Sequence, residues 1–120
     1  MIVLIDDSEI DIFINRKLLE VGGLNFPIES FLNPNDGLDF VLNNPKVKVV
    51  LIDNVMPGSS GFRIAEGIRK GGRHDVKLSI LTASIDPRDV AKFDELDPTI
   101  QLWEKPLEVR LLKNFLSAQI

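Results

Sequence analysis

Five residues of this chain could do chemistry together: Asp6, Asp7, Asp53, Thr82 and Lys105. Each follows an apolar run, so each stands where a buried strand would end. Three carboxylates gathered in one crevice repel, and one would stay protonated unless a cation neutralised the set. A hard divalent ion with oxygen ligands meets that need. Mg²⁺ fits best, because it takes one or two carboxylates, keeps several waters and completes its shell with phosphate oxygens. Lys105 adds a point charge that can grip a phosphoryl group or a carboxylate, and Thr82 adds a hydroxyl. An Asp beside Mg²⁺ and Lys suits carboxylate attack on phosphorus, giving an aspartyl phosphate, with the cations spreading charge over the transferring oxygens. None of the five works as a proton shuttle at neutral pH. The only histidine, His74, lies in the polar turn Gly71-Gly72-Arg73-His74 and reads as a solvated loop residue.

Asp53 is the centre of the set. It ends the run Val49-Val50-Leu51-Ile52, which reads as a fully buried strand of a parallel sheet. The loop Met56-Pro57-Gly58-Ser59-Ser60-Gly61 follows. In open α/β sheets that end of a strand is where ligands bind. Taken alone, Asp53 could equally cap its own loop as an Asx turn, and the other strand ends decide for a site.

The elements that must position these groups follow in order. Ile2-Val3-Leu4-Ile5 is a strand delivering Asp6-Asp7. Ser8 caps a helix, with Asp11 completing a capping-box pattern. Ile10, Phe13, Ile14, Leu18 and Val21 form a stripe at helical spacing and are expected in the core; Gly22-Gly23 ends the helix. Pro27–Phe31 reads as an edge strand. Asn33-Pro34 starts a second helix with Leu38, Val41 and Leu42 inward, and Asn44-Pro45 stops it. Ser60 caps a third helix, with Ile64, Ala65 and Ile68 inward, ended by Gly71-Gly72; Arg69-Lys70 with Arg73 reads as a helix-end cluster. Lys77–Leu81 is a strand delivering Thr82-Ala83-Ser84. Asp86-Pro87 opens a short helix with Val90 and Phe93 inward, closed by Asp97-Pro98. Ile100–Trp103 is the last strand and leads into Glu104-Lys105-Pro106. The final helix carries Val109, Leu112, Phe115 and Leu116. Strand and helix alternate five times with short connections, which implies an α/β layer fold with a parallel sheet and right-handed crossovers.

Composition narrows the function classes. A chain of 120 residues fits one domain, here expected to span 1–120, and buries about two-thirds of its unfolded surface. The net charge of -4 and the lack of a basic run argue against nucleic acid. With no cysteine, thiol catalysis and disulfides are excluded, and the chain is compatible with the cytosol. The apolar start stops at Asp6, without the features of a signal peptide, and no apolar run reaches transmembrane length. Met1 directly before the first strand leans toward a freestanding chain rather than an excised piece of a hybrid kinase.

Asp6-Asp7, Asp53 with Met56-Pro57 and Gly61, Thr82-Ala83 and Lys105-Pro106 together resemble the signature of receiver domains of two-component response regulators. Each motif alone is weak; all of them in order, each at a strand end, are specific. The resemblance covers the chain from first strand to last helix. It implies a flavodoxin-like (βα)5 fold with five parallel strands in the order 2-1-3-4-5. It implies that Asp53 is the phosphoacceptor, with a histidine kinase or phosphotransfer protein as donor and a downstream protein as target. Asp7, Asp53 and the backbone carbonyl of Val55 would then bind Mg²⁺ directly, and Asp6 largely through water. Thr82 and Lys105 would hold phosphoryl oxygens. One position departs from the family, which usually has Tyr or Phe three residues before the Lys. Here it is Leu102, and Trp103 beside it faces the opposite side of the strand. Signal is therefore expected to leave through the fourth helix, fifth strand and fifth helix without an aromatic flip, with Trp103 a packing residue.

Two other classes compete with a signalling receiver that is not an enzyme acting on separate substrates. A Mg²⁺-dependent phosphatase of the haloacid-dehalogenase type needs a second Asp two residues after its nucleophile, and Asp6 is followed by Asp7-Ser8. A pseudo-receiver scaffold would lack part of the acidic set or Thr82 and Lys105, which are all present.

Overall fold

Strands that are apolar on both faces need a layer of helices on each side. The computed structural model describes residues 1–117. Its elements are β1 (Ile2–Ile5), α1 (Glu9–Val21), β2 (Ile28–Phe31), α2 (Pro34–Asn43), β3 (Val49–Asp53), α3 (Gly61–Lys70), β4 (Lys77–Thr82), α4 (Pro87–Leu96), β5 (Gln101–Glu104) and α5 (Val109–Ser117). All strand pairs of the main sheet are parallel, in the order β2-β1-β3-β4-β5, the flavodoxin-like arrangement expected. A minimal antiparallel ribbon, Val55–Met56 with Ser59–Ser60, sits in what reads from sequence as plain loop. Pro57-Gly58 makes its turn, and Gly58 takes the left-handed φ of 73° that a side chain would strain.

Strand alternation divides the core in two. Val3, Ile5, Val50, Ile52, Leu78 and Ile80 face α2, α3 and α4, where Val41, Ile64, Ala65, Ile68 and Phe93 meet them. Ile2, Leu4, Val49, Leu51, Leu81 and Trp103 face α1 and α5, meeting Leu19, Leu112 and Phe115. Trp103 stacks edge-on against Phe115 with ring centroids 5.4 Å apart, while Leu102 packs on the opposite layer. Trp103 is thus the packing residue expected. β2, at the sheet edge, is only half-buried.

The helix starts follow their caps. Ser8, Asn33, Ser60 and Asp86 each accept a hydrogen bond from a backbone N–H of the first turn, and Pro34 and Pro87 stand where a missing N–H costs nothing.

Two expected core assignments are overturned. On α1, Ile10, Phe13 and Val21 are 71%, 61% and 85% exposed, and Ile14 is exposed too. The face against the sheet is Ile12, Asn15 and Leu19, with Leu18 half-buried. α1 carries two apolar stripes, and a polar residue in the buried one made the outward stripe look the stronger. On α4, Phe93 is buried as expected but Val90 is exposed, because the short helix turns only one row inward.

The arginines near the end of α3 do more than mark a helix terminus. Arg69 is buried, pairs with Asp97 at 2.7 Å, and donates to the carbonyls of Arg73 (2.7 Å) and Val76 (2.9 Å). Arg73 donates to the carbonyls of Asn44 (2.8 Å), Val47 (2.9 Å) and Val41. They stitch together the connections at the amino ends of β3, β4 and β5.

Candidate functional site

Parallel register decides which side chains meet. Ile5 lies opposite Ile52 and Asp53 opposite Leu81, so Asp6 and Asp53 emerge side by side. Backbone bonds carry the ladder past the strand ends. Asp6 N–H donates to Phe31 O (3.1 Å), Asn54 N–H to Leu81 O (2.9 Å), and Lys105 N–H to Thr82 O (2.8 Å). Gly61 allows α3 to start directly over this end: a Cβ there would lie 2.9 Å from the Asp53 carbonyl oxygen. Its N–H donates to Asn54 O (2.9 Å).

Of the five residues singled out in the sequence, Asp6, Asp7, Asp53 and Lys105 meet, and Thr82 ends the strand paired with β3. Asp6, Asp7 and Asp53 each offer a carboxylate oxygen within 4.8 Å of the others. Asp53 is 8% exposed and Asp6 3%, whereas Asp7 is open to solvent. Lys105 Nζ lies 2.8 Å from Asp53 Oδ1 and 3.7 Å from Asp6 Oδ2. Thr82 is buried at the end of β4, and its hydroxyl donates to the Ser84 carbonyl at 3.0 Å. His74 is exposed in its loop and takes no part in the site.

The electrostatics are out of balance. Burial pushes the Asp6 carboxyl up to about 6, the Ser8 N–H opposing it, with the Asp53 charge adding to the rise. Burial also raises Asp53, and Lys105 only partly offsets this. For Lys105 burial alone would lower the ammonium, but Asp53, Asp11 and Asp6 together hold it above its usual range. One ammonium serves too many carboxylates. Asp6 Oδ2 is buried without a hydrogen-bond partner among the described residues. A crowded acidic set with an orphaned oxygen is what a hard divalent cation relieves, so the residues fit Mg²⁺.

Two neighbours were not foreseen. Asp11 also reaches Lys105, at 3.0 Å; its capping-box spacing gave it a local role and hid this one. Asn54, next to Asp53, donates from Nδ2 to Asp89 Oδ2 on α4 at 3.2 Å. No spacing signal joins residues that far apart. Among the described residues, no helix is long and apolar enough to cross a membrane.

The comparisons with known proteins agree with this geometry. The chain is similar to a response regulator receiver protein from Dyadobacter fermentans, at 28% identity over 98% of this chain and 94% of that one, TM-score 0.81. A two-component response regulator from Cytophaga hutchinsonii matches at 25% identity over 98% and 93%, TM-score 0.84. A chemotaxis response regulator of Vibrio cholerae, at 17% identity over 99% and 97%, TM-score 0.77, shares the fold. No curated protein matches in sequence. The family profile described as the response regulator receiver domain matches residues 2–116. With that match running through every strand end that carries the acidic set, the threonine and the lysine, the chain belongs to the receiver-domain family of two-component response regulators.

Proposed function

We propose that this chain is a phosphorylation-controlled switch in which Asp53 accepts a phosphoryl group from the phosphohistidine of a sensor kinase or phosphotransfer protein. An Asp53 oxygen attacks phosphorus, and the bond from phosphorus to the imidazole nitrogen breaks with its electron pair going to nitrogen. The imidazole takes a proton from solvent. The observation that carries the reading is Asp53 itself: a buried carboxylate at the end of the central strand, 2.8 Å from Lys105 and beside Asp6 and Asp7. Asp7, Asp53 and the Val55 backbone carbonyl would hold Mg²⁺, with Asp6 acting largely through water. When bound, the ion supplies charge neutralisation for the transferring oxygens. Lys105 and Thr82 would hold phosphoryl oxygens.

Output follows from Thr82. Its hydroxyl now donates to the Ser84 carbonyl; a phosphoryl oxygen would be a stronger, charged acceptor. Exchange of that bond draws the Ala83–Ile85 segment toward the site. The Ile85 N–H faces Glu104 Oε1 at 3.4 Å, and exposed Ile85 and Val90 lie on the surface that would change. Leu102 has no hydroxyl to exchange, so the change proceeds by repacking. The downstream partner would read the face of α4, β5 and α5. A ligand shifts such an equilibrium only through contacts that differ between the states, and here these are the bonds of Thr82 and Lys105. The reading is one of signalling, with no separate substrate turned over.

The test is incubation with a small acyl phosphate and Mg²⁺, followed by intact mass. One base-labile phosphoryl group is expected on the wild type and none on Asp53→Asn. Undiminished labelling of the variant would refute the assignment.

A further inference from the structure

Asp11 has the spacing of a capping-box residue, whose carboxylate would return to the Ser8 N–H. That N–H donates instead to Asp6 Oδ1 at 2.9 Å. Only half of the box forms: Ser8 Oγ accepts from the Asp11 N–H at 3.2 Å. The Asp11 carboxylate turns across the crevice and accepts a hydrogen bond from Lys105 Nζ at 3.0 Å. That is nearly as close as Asp53 at 2.8 Å and closer than Asp6 at 3.7 Å. A crevice of about 280 Å³, lined by Asp11, Ile14, Asn15, Lys105 and Pro106, lies on the same side.

The partners of Lys105 therefore fall into two groups. Asp53 and Asp6 belong to the strand ends where phosphoryl chemistry is proposed. Asp11 belongs to α1 and lies outside the acidic triad. When Asp53 becomes an acyl phosphate, its charge as a partner of Lys105 passes to the phosphoryl oxygens, but the Asp11 charge stays where it is. Resting on the acceptor reading of Asp53, we propose that Asp11 is a positioning residue that holds the Lys105 ammonium toward α1, in competition with an incoming phosphoryl group. The lysine is then only partly available to a donor, and phosphoryl capture is slower than the rest of the site would allow. Lys105 remains the group that touches phosphate; Asp11 acts through it.

The experiment has a kinetic arm and a resting-state arm, both on the full chain. In the first, labelling by a small acyl phosphate at saturating Mg²⁺ is followed by intact mass. Asp11→Asn should label several-fold faster than wild type, and Asp11→Glu, which keeps the charge within reach, should return close to the wild-type rate. Glu9→Gln removes an exposed charge from the same helix turn without touching Lys105, and should give the smaller effect of a changed field alone. In a Lys105→Met background the advantage of Asp11→Asn should fall to that of Glu9→Gln. Equal acceleration by Glu9→Gln and Asp11→Asn, or an Asp11→Asn effect that survives in Lys105→Met, would overturn the proposal. In the second arm, the Lys105 ε-methylene NMR signal of the unphosphorylated protein is compared between wild type and Asp11→Asn. A clear shift, with Lys77 unmoved as a reference, is expected; an unchanged signal overturns the positioning role. This arm does not depend on which residue is labelled, so failure of the Asp53 assignment is seen separately as absent or misplaced labelling.

Discussion

The two ends of the sheet hold cations in opposite ways. At the amino ends of the strands, Arg69 and Arg73 are surrounded mainly by neutral carbonyls. Arg69 has one carboxylate partner, Asp97, and its Nη1 is shared between the carbonyls of Arg73 and Val76. Arg73 reaches the carbonyls of Val41, Asn44 and Val47 and pairs with Asp75. At the carboxyl ends one ammonium, Lys105, faces Asp6, Asp11 and Asp53, and Asp6 Oδ2 is left without a donor. Donors and acceptors match at the first end and are mismatched at the second. A matched cluster is a staple and rigidifies; a mismatched one destabilises the resting state and is poised for an ion or a charged group. Burial alone does not separate the two, since Arg69, Asp6 and Asp53 are all buried.

That contrast can be broken in several places. The largest effect should be functional: Asp53→Asn loses all phosphoryl labelling by intact mass while its urea midpoint stays at or above wild type. A large loss of stability in that variant would move Asp53 into the staple class. Next comes Arg69→Ala, which orphans the carbonyls of Arg73 and Val76 and strips Asp97 Oδ2 of its cation, leaving Oδ1 with its Thr99 bonds. It should cost about 3 kcal/mol in urea unfolding. The cost should be flat from pH 5 to 8. Burial pushes Asp97 up, but the Thr99 bonds and then Arg69 outweigh it and hold the carboxyl below its usual range, so this contribution is present above the unfolded value and lost only as pH falls through the folded one.

Asp6→Asn should do the reverse and stabilise the metal-free protein, by on the order of 2 kcal/mol at pH 7.5. The sign follows from the direction of the shift. The Asp6 carboxyl titrates near 6 in the folded chain and at 3.8 when unfolded, so the folded state binds the extra proton between those values. Wild-type stability therefore falls as pH rises through that window, and the gain of Asp6→Asn should vanish near pH 4. Added Mg²⁺ should close the gap from the wild-type side. A gain independent of pH would mean that charge crowding is not its cause. The smallest effect belongs to α1, which borders the crevice but turns an apolar stripe outward. Phe13→Ser should change stability by no more than about 0.5 kcal/mol, and a loss of core-residue size would return that stripe to the interior.

The strand ends were legible because each is marked twice, by an apolar run and by the polar residue that stops it. Ile2–Ile5 with Asp6 and Val49–Ile52 with Asp53 needed no partner to be read. The inward face of α1 was not legible, because Asn15 interrupts the buried stripe while Ile10, Phe13 and Ile14 complete an outward one. Val90 failed for a related reason: a short helix has too few turns for periodicity to settle its rotation. Arg69 and Arg73 looked like surface charge at a helix end. Most of their acceptors are backbone carbonyls, which every residue type carries and no residue pattern reveals.

By itself the chain determined the order of elements, their caps, the parallel layering and the gathering of Asp6, Asp7, Asp53, Thr82 and Lys105 at one edge. These depend on local propensity, on strand alternation and on the rule that parallel strands end on the same side. Only the tertiary structure decided which carboxylates share Lys105, that Asp11 leaves its cap to join them, and that Asn54 is tied to Asp89. Those outcomes turn on differences of less than about an ångström in the distances between groups on different elements. Such distances are set by how helices seat on the sheet, and the spacing of residues along one helix does not encode where its neighbour will lie.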